Sequence, residues 1–163
     1  MWGKGRNVFY KVLIVSAFAL LIGSVAAICW ALGTYFHYQQ YLKKLNYTMS
    51  GDTAVVQVTD EAGTACTLAP TNRYALYSFL TDSTGKRVQR ADAALTGRSI
   101  SFTTESILGS ASGTVSETDS DYVKVTLSAD GKHWCYYFVN RAGYDYYVKA
   151  TSPEGWTEPN IVK

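Results

Sequence analysis

The chain has 163 residues, enough for about one domain. Its charge is unevenly placed: the first 51 residues hold five basic groups (Lys4, Arg6, Lys11, Lys43, Lys44) and no acid, and the rest hold 10 basic residues and all 13 acids. A net −3 on the longer part argues against nucleic acid as a partner, which would need a basic stripe on the folded domain.

Residues 1–11 read as a short basic segment on the cytoplasmic side. From Val12 to Phe36 the chain carries no charge for 25 residues. As a helix, that stretch is roughly 37 Å long at about 1.5 Å per residue. A bilayer's hydrocarbon core is about 30 Å thick, so residues 12–36 are predicted to be a transmembrane helix with the lipid bilayer as partner. Trp2, Phe9 and Tyr10 flank one end, and Trp30, Tyr35, Phe36, Tyr38 and Tyr41 flank the other, where aromatic rings favour the headgroup layer. Lys4, Arg6 and Lys11 precede the span, which favours a cytoplasmic N-terminus and a C-terminal domain outside. The competing reading is a signal peptide cleaved near Ala27, with secretion of the remainder. The chain stays apolar from Ile28 to Leu32, which favours an uncleaved signal-anchor. Ala19, Gly23, Ala27 and Ala31 recur every four residues and would form one small-residue face, a place for a second transmembrane helix, either self or hetero, to pack.

Residues 37–52 read as a juxtamembrane helix and linker, with Tyr38, Leu42, Leu45 and Met49 spaced three and four apart and Ser50-Gly51-Asp52 as the stop. Residues 53–150 read as an extracytoplasmic antiparallel β domain. Its predicted strands are Ala54–Thr59, Arg73–Thr81, Arg98–Thr104, Asp121–Ser128, Lys132–Asn140 and Tyr144–Ala150. Asp130-Gly131 between two alternating runs is a strong hairpin signal. Asp82–Gly85 and Arg141–Gly143 read as turns, Gly109–Gly113 as a loop and Gln89–Leu95 as the one helical candidate. Trp134, Tyr136 and Phe138 alternate with Cys135, Tyr137 and Val139, which predicts a strand covered on both faces. Residues 151–163, with Pro153 and Pro159, read as an irregular tail. The fold class is thus membrane-anchored all-β (β-rich α+β): one N-terminal transmembrane helix, then a small sandwich or open barrel.

Cys66 and Cys135 are a candidate disulfide, because such bonds persist outside the cytoplasm; the bond would close a loop of about 70 residues. Two free thiols would look the same in sequence. Cys66, Cys135 and His133 lack metal-ligand spacing, and Glu117–Asp121 lacks the glycine and distant glutamate of a calcium loop, so no metal or cofactor is expected. Gly109–Gly113 reads G-S-A-S-G, with alanine where a nucleophile elbow needs serine, and no other catalytic pattern is present. The reading leans away from an enzyme.

A spanning helix that runs on into a β-rich head is a layout similar to that of type IV pilin-like proteins. The residues depart from that family after Lys4-Gly5: Arg6-Asn7-Val8-Phe9-Tyr10 follows, and the first acid of the chain is Asp52. The layout implies a structural subunit of a surface assembly. The leading expectation is an interaction or accessory module of the cell envelope or surface. A ligand-binding or enzymatic module with a site invisible in sequence is a further alternative.

Overall fold

The computed structural model describes residues 3–81, 87–139 and 143–152. The expected turn at Asp82–Gly85, most of that at Arg141–Gly143 and nearly all of the expected tail lie outside the described residues. The chain divides into two units, 1–40 and 41–163.

The charge-free run forms a helix, as its composition demands. Helix α1 (Gly3–Met49) includes it, and residues 8–33 are all exposed. Within the run the Ser24 hydroxyl donates to the Leu21 carbonyl and the Thr34 hydroxyl to the Ala31 carbonyl, each at 2.8 Å. Polar groups in an apolar helix are thereby returned to its own backbone.

The second unit is built on one antiparallel sheet. Its strands are β1 (Val55–Thr59), β2 (Ala65–Thr67), β3 (Arg87–Val88), β4 (Leu95–Ser106), β5 (Gly109–Thr118), β6 (Tyr122–Ala129) and β7 (Lys132–Val139). The order across the sheet is β2-β1-β4-β5-β6-β7-β3. Helices α2 (Pro70–Thr81) and α3 (Tyr144–Thr151) complete it. The expected hairpin is present: Ala129 pairs with Lys132 around Asp130 (φ 51°) and Gly131 (φ 71°), the left-handed pair that a two-residue turn between twisted strands requires.

The sandwich or open barrel is replaced by a single sheet with helices on one face. The period of two along each strand shows why one layer suffices. Val56 and Val58 of β1, Ile100 and Phe102 of β4, Val115 of β5, Val125 and Leu127 of β6, and Trp134, Tyr136 and Phe138 of β7 are buried on one side. Tyr41, Leu45 and Met49 of α1, Leu76 and Leu80 of α2, and Tyr147 and Ala150 of α3 are buried with them. The Tyr41 ring meets Tyr136 edge-on, with centroids 5.2 Å apart. Phe79 of α2 lies 5.6 Å from Tyr147 and 5.9 Å from Tyr146 of α3, which fastens the two short helices together.

Five local expectations are corrected. Arg73–Thr81 is helical within α2, where Pro70 suits the first turn and Asn72, Leu76 and Leu80 recur every four residues on the buried side. Tyr144–Ala150 is helix α3: Tyr144, Tyr147, Ala150 and Thr151 are buried at helical spacing, with Asp145 in the first turn and Lys149 in the last, the favourable ends of the helix dipole. Gln89–Leu95 holds no helix, and Leu95 starts β4. Gly109–Gly113 is strand rather than loop; a Cβ on Gly113 would stand 2.5 Å from the Phe102 ring, so the small residue makes room for its cross-strand partner. Strand β7 is covered on one face only, since His133 and Cys135 on the other are exposed.

Candidate functional site

The helices leave the other face of the sheet uncovered. The side chains that the strand period turns outward there are mostly polar: Ser101 and Thr103 on β4, Ser112, Thr114 and Ser116 on β5, Lys124, Thr126 and Ser128 on β6, and His133 and Cys135 on β7, with Tyr122, Tyr137 and Val139 toward the end away from the β6–β7 turn. Register places them side by side. Thr114 faces Thr126, and their hydroxyls meet at 2.7 Å. Ser128 faces His133, with 2.8 Å between the hydroxyl oxygen and Nδ1.

At the end of this face nearest the β6–β7 turn, the twist of β1, β4, β5 and β6 opens a cleft of about 320 Å³. Val55 and Gln57 line it from β1, Thr103 and Glu105 from β4, Ser110 and Ser112 from β5, and Ser128 and Asp130 from β6 and its turn. Asp130 closes one edge, held by the Lys44 ammonium of α1 at 2.7 Å. Gln57, Thr103, Glu105, Ser110 and Ser112 make no side-chain hydrogen bond to another described residue. These donors and acceptors are therefore open to a ligand. Five such groups converge on this one concavity, whereas the polar atoms of the recess beside α3 are largely bonded within the chain.

A second recess, of about 260 Å³, lies between the β1–β2 turn and α3, lined by Asp60, Glu61, Cys66, Ile100, Val148 and Thr151 among others. Its polar groups serve the fold. Asp60 Oδ1 accepts from the amides of Ala62 and Thr64, which shapes the turn. The Cys66 thiol donates to the Thr151 carbonyl at 3.6 Å. Glu61 belongs to a network centred on Arg98, whose guanidinium reaches Glu61 at 3.1 Å, Glu117 at 3.0 Å and Asp145 at 3.3 Å. The same guanidinium lies over the Tyr144 ring, 5.0 Å from its centroid. The hydrogen bond to Glu61 and the surrounding carboxylates raise the Arg98 pKa. Burial, and after it Glu61, pushes the Tyr144 phenol well above its usual range.

The residues singled out from sequence are scattered. Cys66 and Cys135 are free thiols in β2 and β7, five places apart in strand order, or about 24 Å at ~4.8 Å per strand. Cys135 is on the uncovered face, so the proposed disulfide has no geometry within one chain. Ala19, Gly23, Ala27 and Ala31 are all exposed on α1, and a Cβ built on Gly23 meets nothing within 4 Å. Of the acidic run, Glu117 is taken by Arg98 and Thr96, and Asp119 Oδ1 accepts the Ala94 amide at 2.9 Å. The hydroxyl-lined cleft was not anticipated. Its only trace in sequence is the serine or threonine at every second place of three neighbouring strands.

The chain matches no family model, no curated protein and no solved structure.

Proposed function

We propose that this chain is a single-pass membrane protein with its N-terminus in the cytoplasm, and that its sheet unit is an interaction module outside the cytoplasm. The observation that carries the reading is the bareness of the apolar helix. Residues 8–33 are exposed throughout, so nothing among the described residues shields this charge-free run from water. A bilayer shields it, and the internal bonds of Ser24 and Thr34 suit such a setting. The basic residues before the span favour the orientation. The uncovered sheet face is then the surface presented to another envelope component. The pilin-like alternative shares the layout and differs in predicting chain-to-chain assembly.

The chain's own cysteines test the topology. With Cys29 and Cys66 replaced by Ser, a membrane-impermeant maleimide should label exposed Cys135 from the outside of intact cells. Labelling only after permeabilisation overturns the orientation. A photo-crosslinking side chain at Ser112, on the uncovered face, should form adducts in native membranes, and one at exposed Tyr74 of α2 should not. Equal yields, or none at Ser112, overturn the interaction role of this face. A ladder of self-adducts favours the structural subunit.

A further inference from the structure

We infer that the cleft at the β6–β7 end of the uncovered face is a binding site for a neutral, polyhydroxylated ligand, a short saccharide in chemical class. The inference rests on the reading above that this face is the interaction surface, and it names what the surface holds.

The lining selects by chemistry. Thr103, Ser110 and Ser112 present hydroxyls, each able to donate once and accept twice by rotating, and Ser128 adds one that it shares with His133 Nδ1. Gln57 adds an amide that both donates and accepts. Glu105 and Asp130 stand at the edges and, ionised, only accept. No basic side chain lines the cleft; the nearest ammonium, Lys44, is already paired with Asp130. An anion would meet two carboxylates and no cation, so phosphates, sulfates and acidic sugars are disfavoured. A fatty or aromatic ligand would find Val55 as its only large apolar contact. An extended peptide would seek the unpaired backbone of a strand edge, whereas here four strands are paired through the floor. A sugar matches what remains: each of its hydroxyls can donate to Glu105 or Asp130 and accept from a serine or threonine.

The recess beside α3 and the surroundings of Arg98 carry no comparable case. There the carboxylates and the Cys66 thiol are engaged within the chain. In the cleft, Thr103, Ser110, Ser112, Gln57 and Glu105 are not so engaged. A ligand there replaces water on these groups without breaking an internal bond.

The test is titration calorimetry on the full-length protein in a detergent without a sugar headgroup, since a maltoside would compete. The probes are neutral oligosaccharides (hexamers of N-acetylglucosamine, β-1,4-glucose, β-1,3-glucose and α-1,4-glucose), with hexagalacturonate as the acidic control. At least one neutral hexamer should bind, and hexagalacturonate should not. The double variant Thr103→Val/Ser112→Val keeps residues suited to an outward strand position and removes two hydroxyls. Its affinity should fall about tenfold or more. Its circular dichroism and unfolding midpoint, matched to the native protein, show that the loss is local. Absence of binding by all four neutral hexamers, or equal affinity in the double variant, overturns the saccharide site. Tighter binding of the acidic probe does so too. Crosslinking from Ser112 is read separately: adducts without glycan binding sink the ligand class and leave the interaction face standing.

Discussion

The Tyr41 hydroxyl of α1 donates to the Leu80 carbonyl of α2 at 2.8 Å, in a buried setting. Leu80 lies in the last turn of its helix, where carbonyls lack a partner from the helix itself. One side chain thus caps α2 while its ring packs on Tyr136. Tyr41→Phe keeps the ring and strands the carbonyl, so it should cost about 1–3 kcal/mol. Urea unfolding of the detergent-solubilised protein measures this, and a midpoint equal to the native one would contradict the capping role.

Gly113 leaves room for the Phe102 ring directly across the β4–β5 pair. Gly113→Ala forces the ring or the β6 backbone aside, because a Cβ there would lie within 2.5 Å of Phe102 Cζ. Overpacking of this kind costs about 1–3 kcal/mol. The same substitution at Gly23, open on all sides, should leave the stability of the sheet unit unchanged.

Tyr144 should make the protein sensitive to alkali. Burial and Glu61 raise its folded-state pKa above the ordinary 10.0. The folded chain therefore keeps the phenolic proton where the unfolded chain loses it. The stabilisation is present below pH 10 and is lost as pH rises beyond it. Tyr144→Phe should unfold along a shallower alkaline limb than the native protein, measured as the thermal midpoint between pH 9 and 12. Parallel limbs would refute the assignment.

Arg98 holds Glu61, Glu117 and Asp145 from three different elements. Arg98→Gln leaves three carboxylates facing one another beside the start of α3. The variant should be less stable than the native protein at pH 7, and the deficit should shrink in molar salt. Thermal midpoints of both proteins across a salt series check the trend.

The long apolar helix and the β6–β7 hairpin were legible in the sequence because each has a physical signature that survives without context: a charge-free run in one case, period-two alternation around Asp130-Gly131 in the other. The short helices were not. In Arg73–Thr81, Tyr74, Leu76 and Leu80 also fit a period of two, but Tyr74 is 72% exposed and Leu76 and Leu80 are buried as successive turns. Tyr144, Tyr146 and Val148 misled in the same way, since tyrosine suits a half-covered strand and a half-covered helix alike. Strand β5 hid behind glycine and serine, whose small size here meets Phe102 and the cleft. The cleft itself depends on register between strands, which no local pattern records.

The helix α1 contributes Tyr41, Leu45 and Met49 to the core beside the sheet. A chain beginning at Tyr41 should therefore keep a cooperative unfolding transition. One beginning at Thr53, where the strands start to read in sequence, should lose three core side chains and with them a large share of its stability, at about 2–5 kcal/mol for each large aliphatic or aromatic group removed. Near-ultraviolet circular dichroism and urea titration of both chains decide it; equal midpoints would show that the helix end is dispensable.

Strand β1 pairs with β4 in a register that joins Val55 to Glu105. During synthesis at about 5–20 residues per second, β1 waits several seconds for its partner to emerge, whereas a hairpin such as β6–β7 closes in about 1–10 μs. Val56 and Val58 spend that interval without the surface that later buries them. The nascent chain is thus most open to chaperone capture and to mispairing between the emergence of β1 and that of β4, and a pause in translation placed between them should lengthen that window.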